Sequence, residues 1–173
     1  MSQRLSLPDS SEYAEYYGKY IQLVPEADIV HAMKLQLKLT LEFLETLPES
    51  IGDKRYAPEK WSVKEVVGHI IDVERVFTQR ALFFARNSPV ALPGMEQDDW
   101  MKEAAFGAQR LEDLATEFGL VRQSNVWFFR NLSDVAWMRR GVASNREFTV
   151  RAIAYIIVGH ERHHLGILKT RYL

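Results

Sequence analysis

The sequence predicts an all-α fold built on four long helices. Three observations lead there. Apolar residues recur at alternating three and four spacing over roughly 26–46, 63–86, 110–131 and 149–170, the period of a helix with one buried face. No segment reads as half of a strand pair, and no internal repeat or low-complexity run interrupts the chain. A linker from about 87 to 109 separates the second and third stretches, which is long for a compact domain.

The four stretches belong to one expected domain, 1–173, because 173 residues with 47% hydrophobic content can bury a sizeable core without a second unit. Lys plus Arg, 22, against Asp plus Glu, 23, leave a formal charge of -1. With no basic excess to neutralise phosphates, a general nucleic-acid binder is not expected. There is no cysteine, so any metal must be held by imidazole and carboxylate, and a thiol nucleophile can come only from outside the chain. The start, Met1 to Glu12, lacks an apolar leader, and no stretch approaches the roughly 18 apolar residues of a membrane span. A soluble cytoplasmic protein is the expectation. Neither a Gly-rich dinucleotide motif nor a P-loop occurs, so nucleotide chemistry has no support.

Taken in order, residues 1–24 read as an aromatic arm. Tyr13, Tyr16, Tyr17 and Tyr20 place four of the seven tyrosines in nine residues, rings suited to packing over a bundle or against a second subunit while their hydroxyls stay wet. A short surface helix is the alternative. Pro25 then stands where a helix can begin, and Val30, Met33, Leu37, Leu41 and Leu44 stripe the first long helix, with His31 on its polar flank and Pro48 closing it. The second opens on a capping box, Ser62 with Glu65. Val66, Ile70, Val73 and Phe77 form its stripe, and His69 lies beside them. Glu65 and Asp72 stand one turn either side of His69. Each is placed to serve as a further ligand, as a general base or as the group that fixes an imidazole tautomer, or simply to cap the helix and to pair with Arg75 or Arg80.

The linker contains Pro93-Gly94 and a short helix expected from about Gln97 to Ala104. Its length allows the chain to return along the whole bundle, leaving the second and third long helices parallel. Leu111, Leu114, Phe118, Val121, Asn125 and Phe128 stripe the third helix, which offers no histidine; Asn125 is the polar position in that stripe. Residues 133–148 read as an irregular connection before Thr149, a good N-cap for the last helix.

That last helix carries the most informative stretch, Gly159-His160-Glu161-Arg162-His163-His164, with three of the five histidines of the chain. Ile153, Ile157, His160, His164 and Ile167 share one seam, so His160 and His164, four apart, are neighbours able to bind one ion. An isolated pair of this kind is more often two hydrogen-bonded core histidines. His163 offers a second pairing with His160 through Ile156 and Ile167, but the seam through Ile153 and Ile157 centres His164 better. His69, on another long helix, is the third ligand such a half-site needs.

The run Tyr56-Ala57-Pro58-Glu59-Lys60-Trp61-Ser62-Val63-Lys64-Glu65-Val66-Val67-Gly68-His69 together with the late Gly159-His160-Glu161-Arg162-His163-His164 resembles the DinB-like (DinB/YfiT) family of metalloenzymes. The likeness extends to Leu92-Pro93-Gly94 and the closing Arg171-Tyr172-Leu173. The resemblance implies a four-helix bundle with a crossover between helices two and three, often a homodimer, and a divalent metal on His69, His160 and His164. It also implies hydrolysis of a small substrate or transfer of a low-molecular-weight thiol to an electrophile, with zinc, nickel, manganese or iron as the ion. Two rival readings come from other classes. One is a stress-related metal-binding or interaction module with a closed site, the other a structural dimeric bundle whose histidines bind nothing.

Overall fold

The computed structural model describes residues 5–173, so positions 1–4 of the expected arm lie outside the described residues. From Leu5 onward the arm folds over the bundle instead of standing off it. Asp9 caps a turn of 3-10 helix at Ser10–Glu12 through a full capping box with Glu12. Glu12 is buried, its carboxylate paired with Arg151 and accepting a 2.7 Å hydrogen bond from the Thr149 hydroxyl. Burial pushes the Glu12 carboxyl up, but the Arg151 guanidinium and the other donors outweigh it and hold it below its ordinary value. The arm ends in a single turn, α1 (Gly18–Ile21), laid across the last helix.

The first long helix, α2 (Ile29–Glu45), begins three residues after the expected start. Asp28 accepts from the amide of His31 and so fixes the N-terminus there, beyond Pro25. The second, α3 (Val63–Ala85), opens as predicted. Ser62 accepts from the Glu65 amide at 3.2 Å, and the Glu65 carboxylate accepts from the Ser62 amide at 2.6 Å. In the linker, α4 (Gln97–Glu103) stands where a short helix was expected. The third long helix is α5 (Leu111–Arg130), followed by the single turn α6 (Asp134–Trp137).

Residues 140–148 depart from the irregular connection expected of them. With Thr149 they form an antiparallel hairpin of β1 (Arg140–Ala143) and β2 (Arg146–Thr149). Its two-residue turn is Ser144-Asn145, both at positive φ, 53° and 58°. That is the backbone twist a tight hairpin turn requires, and here it is achieved without glycine. Leu92 of the linker adds a bridge to Ala143, which ties the long connection to the hairpin. The last long helix, α7 (Val150–Ile167), is capped by Thr149 accepting from the Ala152 amide and ends in a π turn at Leu168–Tyr172.

Around the bundle the order is α2, α5, α3, α7, each packed on the next. One core cluster joins the start of α2 and of α7 to the last turns of α3 and α5. The other joins the first turns of α3 and α5 to Leu44, Leu165 and Leu168. Consequently α3 and α5 run parallel, the crossover making this possible, and α2 and α7 run against them. The fold is the four-helix bundle predicted, with one small hairpin added.

Candidate metal centre

The capping box that starts α3 fixes the register of His69 two turns further on. Likewise Thr149 sets the register of α7, and antiparallel packing brings His160 level with His69. The Nε2 atoms of these two rings are 3.1 Å apart. His164, one turn beyond His160, completes the cluster. Its ring centroid is 4.4 Å from that of His160 and 4.9 Å from that of His69. One nitrogen from each of the three falls within 4.8 Å of the others, and among the described residues no carboxylate joins them. His163 points elsewhere, its ring edge-on to Tyr20 and to His164. His31 is exposed at the start of α2.

The donor set fits a divalent ion. Imidazole nitrogens about 2.0–2.1 Å from a tetrahedral zinc lie roughly 3.3 Å from each other, close to the His69–His160 separation. Burial drives all three imidazoles toward the neutral form. His69 is lowered to about 4 by burial alone. Burial also leads in lowering His164 to about 3 and His160 well below its ordinary value, with the neighbouring histidines adding to it. Neutral imidazole is the form that binds metal, so no proton need be displaced at neutral pH.

The two carboxylates singled out beside His69 have other partners. Glu65 is held by its capping role and by a bidentate pair with Arg55, at 2.6 and 3.0 Å. Asp72 faces Arg75 at 3.8 Å, near the Arg75–Glu117 pair. Burial raises the Asp72 carboxyl, with Arg75 opposing. Arg80, the other partner considered for Asp72, instead donates to the Pro93 carbonyl and the Ser144 hydroxyl.

Two clefts meet at the histidines. His69 and His160 border one of about 430 Å³, walled by Tyr17, Tyr20, Phe77, Arg80 and Ser144. His164 borders another of about 440 Å³, beside Trp61, Lys60 and Tyr172. Tyr20 packs edge-on against His160, and Trp61 tilts against His69 with centroids 4.7 Å apart. Of these lining residues Arg80 was named from the sequence only as a partner for Asp72, although it stands eleven positions and very nearly three turns after His69, on the same face of α3. Ser144 was not named, because its place depends on the hairpin.

Behind the centre lies a buried polar network that hydrophobic periodicity passed over. Arg122 sits between Glu74, at 2.5 and 2.8 Å, and Glu161, at 2.7 Å. Asn125 donates to Glu74 and Thr40 donates to Glu161, so Asn125 serves this network and not the histidines. The contacts reach all four long helices, and Glu161 immediately follows His160 in sequence. Burial raises the Glu161 carboxyl, against the opposing pull of Arg122.

The DinB superfamily pattern matches residues 32–168, a span that contains all three histidines and all of the four long helices but the first three residues of α2. The chain belongs to the DinB superfamily. A solved structure similar to it is YfiT from Bacillus subtilis, 18% identical, with a TM-score of 0.71 over 94% of this chain and 89% of that one. It is described as a probable metal-dependent hydrolase with an unusual four-helix bundle topology. At this identity the likeness shows a shared DinB fold. No curated protein matches the sequence. No helix among the described residues is long and apolar enough to cross a membrane.

Proposed function

We propose that this DinB-superfamily chain is a metal-dependent enzyme that holds one divalent ion on His69, His160 and His164. It acts on a small molecule admitted through the flanking clefts, either by hydrolysis or by transfer of an external low-molecular-weight thiol to an electrophile. The observation that carries this reading is that three neutral, convergent imidazoles border two clefts with no carboxylate completing their set. A site kept for stability alone would be closed by a fourth protein ligand.

When bound, such an ion supplies Lewis acidity and brings the pKa of water or a thiol held on it toward neutrality. The protein's part is positioning. The α3 cap and the Thr149 cap fix the ligands from opposite directions. Tyr20 packs against His160 and Trp61 against His69, which steadies both rings. Glu65 and Asp72 stand outside the ligand set, Glu65 held by Arg55 and by its cap and Asp72 3.8 Å from Arg75. Imidazole accepts zinc, nickel, manganese and iron, so the fold does not select among them. YfiT's description supports the hydrolytic branch, and the absence of cysteine here leaves any thiol to be a substrate.

The test is elemental analysis of protein purified without a histidine tag, comparing wild type with the His69→Ala/His160→Ala/His164→Ala variant. Near-stoichiometric metal that disappears in a folded variant is the expected result. A wild type that takes up neither zinc, nickel nor manganese overturns the reading.

A further inference from the structure

The larger chemical question at this site is what kind of molecule the cleft beside His69 and His160 accepts. One face of α3 forms its floor, because His69, Val73, Phe77 and Arg80 all line it at helical spacing. Histidines stand at one end of that floor and a guanidinium at the other. Arg80 is 3% exposed. Among the described residues no carboxylate lies within ion-pair distance of it. Its polar contacts are the Pro93 carbonyl and the Ser144 hydroxyl, each 3.1 Å from the same nitrogen, with Tyr17 beside it. Below it is the ring of Phe77, 4.8 Å from the guanidinium carbon.

A buried cation without a counter-ion is costly, and proteins normally pair it. The contrast with Arg122 and Arg151 is direct, since both are buried and both meet carboxylates. The hairpin and linker wrap around Arg80 and hold it against the cleft wall where an acidic residue would have been simpler. Burial lowers its pKa, with only Tyr17 working the other way.

We propose that Arg80 is the anion-binding end of this cleft and that the small molecule brought to His69, His160 and His164 carries a carboxylate. The proposal rests on the metal-centre reading and gives it a substrate class. A carboxylate fits better than a phosphate. One guanidinium neutralises one negative charge and can bind a carboxylate in bidentate fashion. A dianion would keep an unpaired charge there, and Glu96, Asp98 and Asp99 at the exposed mouth, which repel any anion, would oppose two charges more than one. The floor also sets a length. Arg80 leans back over Phe77, about eight residues beyond His69, which places its guanidinium roughly 12 Å along the helix from the histidine at ~1.5 Å per residue.

The experiment uses the full chain loaded with cobalt(II), whose thiolate absorption band reports sulfur reaching the metal. Mercaptohexanoate, mercaptohexanol and mercaptohexylphosphonate are titrated into wild type, Arg80→Met and Arg80→Lys. In wild type the carboxylate should bind roughly ten-fold or more tightly than the alcohol, the scale expected of a charge-assisted hydrogen bond, and more tightly than the phosphonate. Arg80→Met should remove the preference while leaving cobalt content and the alcohol's Kd unchanged, and Arg80→Lys should restore part of it. Equal binding of carboxylate and alcohol by cobalt-loaded wild type overturns the proposal whether or not any variant folds. A stronger preference for phosphonate, or a carboxylate preference that survives Arg80→Met, also overturns it. If the protein takes up no cobalt, the metal-centre reading falls and the anion site is judged separately by nitrogen NMR of arginine side chains. An Arg80 resonance that moves with hexanoate but not with hexanol upholds it, and one that moves with neither overturns it.

Discussion

The backbone carbonyl of Tyr20 rests directly on Gly159, so closely that a Cβ at that glycine would stand 2.0 Å from the oxygen. This contact lets α1 cross α7 at the level of the metal centre and lays the Tyr20 ring against His160 and His163. The same device appears on α3, where a Cβ on Gly68 would meet the Phe106 ring at 2.3 Å. Each of the two facing histidines, His69 and His160, thus follows a glycine that admits a neighbouring segment. Gly159→Ala should push the arm off α7 and destabilise the protein by about 1–3 kcal/mol, the usual cost of overpacking. Gly166→Ala on the same helix is the control, because open space surrounds that position. It should stabilise by roughly 0.5–1 kcal/mol through helix propensity alone. Denaturant unfolding of the two variants checks both signs, and a neutral Gly159→Ala would show that the crossing is not tight.

Arg122 should be among the least tolerant positions in the chain. It is fully buried between Glu74 and Glu161, so Arg122→Met leaves two buried carboxylates facing each other without a cation. Breaking a buried ion network in this way costs about 3–5 kcal/mol. Adding Glu74→Gln and Glu161→Gln to Arg122→Met should recover much of that loss, because the charges are then gone together. Equilibrium unfolding in urea measures it, and a loss under about 1 kcal/mol would mean the network is solvated.

The four helices and the three histidines were legible for the same reason: start signals at Ser62 and Thr149 fix the phase of a strong apolar period, and the histidines ride on it. Charged residues inside the bundle break that logic. Val121 and Phe128 were placed in the α5 stripe, yet Arg122, Val126 and Phe129 are the more buried. On α2, Gln36 and Thr40 are buried while Leu37 and Leu41 are only partly so. A hydrophobic period cannot rank a residue whose burial is compensated by a partner on another helix. The hairpin was hidden for a local reason. Its strands are four residues long, too short to show alternation, and Ser144-Asn145 makes the turn without the glycine that usually announces it. The contact of Arg80 with Ser144 was hidden with it.

Acid should weaken the metal-free protein through its histidines. Their folded values lie below the ordinary 6.5, at about 4 for His69 and about 3 for His164, chiefly because of burial. Below about pH 6.5 the unfolded chain takes up protons that the folded chain refuses. The stability that the neutral rings contribute is therefore fully present above that pH and is lost as pH falls toward about 3. Each histidine adds at most about 1.4 kcal/mol per pH unit in that window. Urea unfolding of metal-free wild type and His69→Gln over a pH series isolates the effect. The wild type should show the steeper decline, and parallel curves would remove His69 as a cause.

The two candidate partners for His160 on its own helix should separate cleanly in metal affinity. His164 joins His69 and His160 within 4.8 Å, whereas His163 is turned toward Tyr20. His164→Ala removes one of three ligands and should weaken zinc or cobalt binding by more than about 100-fold, beyond the roughly 10–100-fold typical of losing an outer partner of a ligand. His163→Ala should change affinity by less than about ten-fold, its role being contact with Tyr20 and His164. Competition titration against a chromogenic chelator measures both. The reverse order would place the i, i+3 pair at the metal and would require α7 to turn relative to α3. Such a rotation would carry Glu161 away from Arg122, so the chelator result and the stability of Arg122→Met test one geometry from two sides.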